Sequence, residues 1–85
     1  MCKELTLHTD AGHGWLEVPL SDVIALGIAG KVSRYSYAKG EAVYLEEDGD
    51  ASLYLNQLTA LGVEFSISEA YREHSPIRAF NRFTA

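Results

Sequence analysis

His8, Asp10 and His13 stand as His-x-Asp-x-x-His around a glycine-containing turn. Neutral imidazoles and a carboxylate suit Zn2+ or another divalent ion, and a turn can bring three such groups together. His74 is a candidate fourth ligand, and the set would make a small metal-dependent enzyme. The plainer reading takes the residues one by one. His8 alternates with Leu7 on a half-wet strand, Asp10 stands where a turn favours an Asx residue, and His13 lies between two glycines. The plainer reading is preferred, so no metal or other cofactor is expected. Gly12-His13-Gly14 also offers backbone amides to an anion. No Lys or Ser/Thr completes a phosphate loop and no helix follows, so turn geometry accounts for the glycines.

Glu46-Glu47-Asp48-Gly49-Asp50 is the sharpest charged feature. A calcium loop would need a closing Glu where Thr59 stands, so the pattern of a helix–loop–helix calcium site is not met. One of the two aspartates is expected to cap the following helix. The group also suits contact with a basic surface, because its charge can stand in for phosphates. The net charge of −5 hides the arrangement. The first forty residues cancel, 41–71 hold seven acids and no base, and 72–85 are net basic. Strong overall basicity, the simplest mark of a duplex-binding protein, is absent. Glu46, Glu47, Asp48 and Asp50 are therefore candidate partner-binding residues. His13 and Trp15 at a hairpin tip would extend that surface if exposed. The small core is the competing, and favoured, place for Trp15.

Arg78, Arg82 and Phe80 in the tail, with Tyr35 and Tyr37, form an alternative set. Aromatic rings and arginines together stack and neutralise single-stranded nucleic acid. Two readings are preferred to it: the tyrosines pack under helices or at a homodimer face, and the arginines, with Arg72, pair with this chain's own acidic strand or that of a second copy. Direct nucleic-acid binding is thus not expected. Cys2 is the single cysteine, so no intrachain disulfide and no cysteine zinc site can form. No Ser/His/Asp arrangement, activated cysteine or paired-carboxylate cleft is visible, and the chain is read as a non-enzyme.

These residues need elements to hold them. Leu5–Thr9 alternates as a strand, residues 10–14 turn, and Trp15–Val18 returns, giving a hairpin. Ser21 is the expected cap of a short helix over Val23–Leu26, which Gly27 closes with Ile28 behind it. Val32–Ala38 reads as a strand, Lys39-Gly40 as a two-residue turn and Ala42–Glu46 as the return. That register sets Tyr35 opposite Tyr44 and Tyr37 opposite Ala42. Ala51, Tyr54, Leu55, Leu58 and Leu61 mark one helical face, with Gly62 and Val63 repeating the earlier helix end. Val63, Phe65 and Ile67 alternate as a last strand. The expectation is one α+β domain over 1–85, ordered β-β-α-β-β-α-β. An antiparallel-rich sheet carries both helices on one face, and 76–85 forms a docked C-terminal arm. No apolar run is long enough to span a membrane, and the N-terminus lacks the apolar core of a signal peptide, so a cytoplasmic setting is expected.

Gly-His-Gly-Trp-Leu at 12–16 and Tyr-Leu-Glu-Glu-Asp at 44–48 resemble segments of small phage- and plasmid-encoded proteins, over roughly Leu7 to Phe83. That group has no assigned activity, so no catalytic residue is carried over. The resemblance implies a mobile-element setting in a bacterial host. Small acidic proteins of that setting often inhibit host defence systems, as anti-CRISPR proteins do. The expectation is a protein-binding inhibitor of a nucleic-acid-targeting complex.

Overall fold

Aliphatic residues recur with period two at Leu5 and Leu7, at Leu16 and Val18, and at Val43 and Leu45. Each set must turn one way on its strand. In the computed structural model, which describes residues 2–84, these strands are β1 (Cys2–Thr9), β2 (Gly14–Pro19) and β4 (Ala42–Glu46). β1 pairs antiparallel with β2 at Leu7 opposite Leu16, and β2 with β4 at Leu16 opposite Leu45 and Val18 opposite Val43. The register puts every one of these aliphatics on the same face.

Both helices cover that face. α1 (Leu20–Ala25) contributes Val23, and α2 (Asp50–Ala60) contributes Ala51, Tyr54 and Leu58 to the same buried cluster. The helices end alike, as expected. Gly27 and Gly62 take positive φ, and the N–H groups of Ile28 and Val63 donate to the carbonyls of Val23 and Leu58. This is the Schellman closure, which only a residue free of a Cβ penalty completes at low cost. The helices are tied to each other where Tyr54 Oη donates to Asp22 Oδ2 at 2.7 Å, while Lys3 Nζ reaches the same oxygen at 2.9 Å.

The remaining strands are β3 (Tyr37–Lys39), β5 (Glu64–Tyr71) and the two-residue β6 (Asn81–Arg82). The sheet runs β5-β1-β2-β4-β3-β6, antiparallel throughout except for β1 against β5. The chain is therefore α+β with two helices on one face. No described helix is long and apolar enough to cross a membrane.

Four local expectations are corrected. Ser21 is inside α1, and Pro19 takes the cap position with no side-chain cap bond. Neither Asp48 nor Asp50 caps α2. Gly49 stands there, and Asp50 begins the helix with its carboxylate turned inward. The strand expected from Val32 begins only at Tyr37, because Ser33 and Ser36 bend the chain toward Asp50. The turn is Gly40-Glu41, with positive φ at Gly40 as a type II′ turn requires. Tyr37, not Tyr35, consequently faces Tyr44.

Candidate functional site

Trp15, Tyr37 and Tyr44 project from the face opposite the helices. The tail covers them, so the tyrosines do not pack under the helices as expected. Ser75 accepts from the Ile77 N–H at 3.3 Å and opens a 3-10 turn over Pro76–Ala79. The turn drives Ile77 onto Trp15 and Tyr37, and Phe80 packs beside Tyr44 with ring centroids 5.1 Å apart. Beyond them Phe83 enters the helix-side core, its N–H donating to Ser36 O at 2.9 Å. The segment expected to be a docked arm lies across the sheet and wraps its β6 edge.

The arm is pinned by a carboxylate 68 residues away in sequence. Asp10 Oδ2 accepts from Arg78 Nε at 2.6 Å and Oδ1 from Nη2 at 3.1 Å. Asp10 Oδ1 also accepts from the N–H groups of Gly12 and His13, closing the hairpin turn. The Arg78 guanidinium, followed by the Gly12 amide, holds the Asp10 carboxyl far below the usual carboxylate range. The guanidinium itself lies over the Trp15 ring at 5.2 Å, and that of Arg82 over Tyr37 at 5.0 Å. Arg82 also donates to Arg34 O.

The acidic segment sits across from these arginines. The Glu47 N–H donates to Gly14 O at 2.9 Å, which locks the acidic turn to the first hairpin. A Cβ at Gly14 would meet the Glu47 carboxylate as it now lies, so a side chain there would make that exposed, flexible group swing aside. Asp50 lies beneath. Its Oδ2 accepts from Ser33 N, Ser33 Oγ and Ser36 Oγ at 3.0, 2.6 and 2.6 Å. Ser36 Oγ in turn accepts from the Glu46 N–H, fixing the end of β4.

Between the two walls is a cleft of about 500 Å3 lined by His13, Trp15, Tyr35, Tyr37, Glu46, Asp48, Arg78 and Arg82. Members of both sets proposed from sequence as rival sites thus share one cleft, which Glu47, Asp50 and Phe80 do not line. Not every member can serve. Asp50 is buried and bonded inward, so it is removed from the partner-binding set. Trp15 is 2% exposed and supports the cleft rather than forming a free contact point. His13 is exposed beside it, ring centroids 6.0 Å apart. Glu47 and Asp48 are exposed and Glu46 is half-buried. Tyr37 is covered, whereas Tyr35 is 60% exposed on the loop before β3, so the two do not form a shared platform. Phe80 packs against Tyr44 and under Lys39 Nζ.

The proposed metal ligands are not brought together. His8 Nε2 meets Glu17 Oε1 at 2.8 Å across the hairpin, Asp10 is held by Arg78, and His13 Nδ1 lies against Gly12 O. Among the described residues no group of three His, Cys, Asp or Glu is placed to hold a metal ion. The arginines also depart from expectation. Among the described ion pairs, Arg78 takes Asp10 rather than any acid of 41–71. Sequence reasoning missed this clasp because nothing in the spacing of Asp10 and Arg78 links them.

No protein-family model, curated protein or solved structure matches the chain.

Proposed function

We propose that the chain is a non-enzymatic binding protein whose cleft receives a basic segment of a protein partner. The observation that carries this reading is the unequal use of charge across the cleft. Arg78 and Arg82 are committed to Asp10, to the Arg34 carbonyl and to aromatic faces. Glu46 and Asp48 on the facing wall, and Glu47 between them in sequence, enter no ion pair among the described residues. An open acidic wall over an aromatic floor is complementary to Lys and Arg side chains, by Coulomb attraction at the wall and cation–π contact with Tyr35. Such a wall presented to a nucleic-acid-handling protein occupies the surface its phosphates would use. Inhibition of a host defence complex is the setting that the resemblance to phage and plasmid proteins adds.

The test is capture of host proteins from bacterial lysate on immobilised protein, beside the Glu46→Gln/Glu47→Gln/Asp48→Asn variant. Loss of basic, nucleic-acid-handling proteins from the variant is expected. Undiminished capture overturns the reading.

A second reading rests on Tyr35, exposed between Arg34 and Arg82 on the outer side of the cleft. An exposed ring that shares a surface pocket with two arginines is a stacking site for one base of a single strand. Anisotropy of labelled single-stranded RNA, lost on Tyr35→Ala and falling steeply with salt, would favour it over the first.

A further inference from the structure

The two edges of the sheet differ. β6 offers two residues, whereas β5 offers eight and is mostly exposed on both of its faces. The bond from Arg72 N–H to Thr9 O fixes which way the β5 backbone points. In a parallel pair, residues alternate between directing both backbone groups toward the neighbour and both away. With Arg72 pointing to β1, so do Ala70, Ser68, Ser66 and Glu64 in the unbroken register. Phe65, Ile67, Glu69 and Tyr71 point their N–H and C=O groups outward with no strand to receive them. Natural proteins blunt such edges or use them.

We infer that β5 pairs antiparallel with β5 of a second copy, about a two-fold axis at Ser68, to form one continuous sheet. This surface is separate from the proposed cleft, which lies toward the β6 edge. Backbone geometry permits only registers in which outward-pointing residues oppose one another. In the register centred on Ser68, Ile67 meets Glu69 of the other copy and Phe65 meets Tyr71, each exchanging two ladder bonds. Glu64 then stands opposite Arg72, twice over by symmetry. Arg72 is exposed and enters no ion pair among the described residues, and the same is true of Glu64. The register also covers Ile67 and Tyr71, which are 43% and 59% exposed. Centring one residue earlier would set Glu64 against Ala70 and lose its pairing with Arg72, and one residue later would set Glu69 against itself. Charge and apolar complementarity thus select a copy of this strand, in one register, as the occupant.

Sedimentation velocity over a concentration series tests this. The mass is expected to rise from the 9.4 kDa of one chain to twice that value. Glu64→Arg and Arg72→Glu should each weaken the dimer by about tenfold or more, and the double variant should restore it. Ile67→Pro removes an outward N–H and no bond to β1, so it should abolish the dimer with an unchanged far-UV circular dichroism spectrum. A monomer at every concentration overturns the inference. So does a dimer indifferent to Ile67→Pro, or one that the charge exchange fails to rescue. Gln/Asn substitution of Glu46, Glu47 and Asp48 should leave the dimer intact, so failure of the cleft reading and failure of the edge reading are separable.

Discussion

The helix side of the sheet and the arm side are covered by different means. On the helix side, Val23, Ala51, Tyr54 and Leu58 meet Leu5, Leu16, Val18, Val43 and Leu45 in one mostly aliphatic cluster. Its cohesion is spread over many contacts with no preferred direction. On the arm side the buried cluster is Trp15, Tyr37 and Ile77 alone, flanked by Tyr44 and Phe80. Little area is hidden there, so the cover is held by directional contacts: the Asp10–Arg78 clasp, two guanidinium groups over rings and the Phe83 N–H to Ser36. A small domain cannot fill two aliphatic cores. The one it fills sets stability, and the one held by directional contacts is where the cleft lies.

That contrast can be broken from the helix side first. Leu45→Ala empties a site that is 0% exposed and should cost about 2–5 kcal/mol. For a domain of this size the loss lowers Tm by roughly 10 °C or more, read by thermal circular dichroism. Next comes the network between the faces. Asp50→Ala strands three donors on Ser33 and Ser36 and should cost about 2–3 kcal/mol by denaturant titration. A smaller global effect is expected on the arm side. Ile77→Ala should release the arm while leaving the sheet folded. Trypsin should then cut faster after Arg78 and Arg82, with a smaller fall in Tm than Leu45→Ala gives. Equal falls would show that the two sides unfold as one unit.

Acid sharpens the same comparison. The Asp10 carboxyl titrates below its ordinary value of 3.8. Its contribution is therefore intact above about pH 4 and is lost as the pH falls below that. Trp15 fluorescence should shift in that range, while far-UV circular dichroism changes less. Asp10→Asn should remove the step. Tyr54 behaves oppositely. Burial, then the Asp22 carboxylate, pushes its hydroxyl well above the ordinary 10, so that contribution is present at neutral pH and is lost only in strong alkali.

The legible parts of the fold were those encoded within a few residues. Ala-Leu-Gly followed by Ile or Val announced both helix ends, and alternation announced β1, β2, β4 and β5. Val32–Ser36 misled because its β-like pattern competes with Ser33 and Ser36 bonding Asp50, 17 and 14 residues on. Asp50 misled in turn. Adjacent to Asp48 it looked like surface charge, and only the serines show that it faces inward. At the site, residue types were legible and their use was not. His13, Trp15, Tyr35, Tyr37, Glu46, Asp48, Arg78 and Arg82 were all singled out, yet as rivals. Their convergence depends on a clasp spanning 68 residues, which no local pattern carries.

The parallel pairing of β1 with β5 has a consequence in time. Every pair in it joins residues 62 apart, whereas the β1–β2 hairpin closes across a short turn. Loop closure over that span must precede the contacts that reward it, so β5 docks late and the domain folds slowly for its size. The converse holds on opening. In the single chain β5 has one neighbour and the hairpin strands have two, so β5 should leave the sheet before them. In dilute, unpaired protein its amides should exchange hydrogen fastest among the long strands.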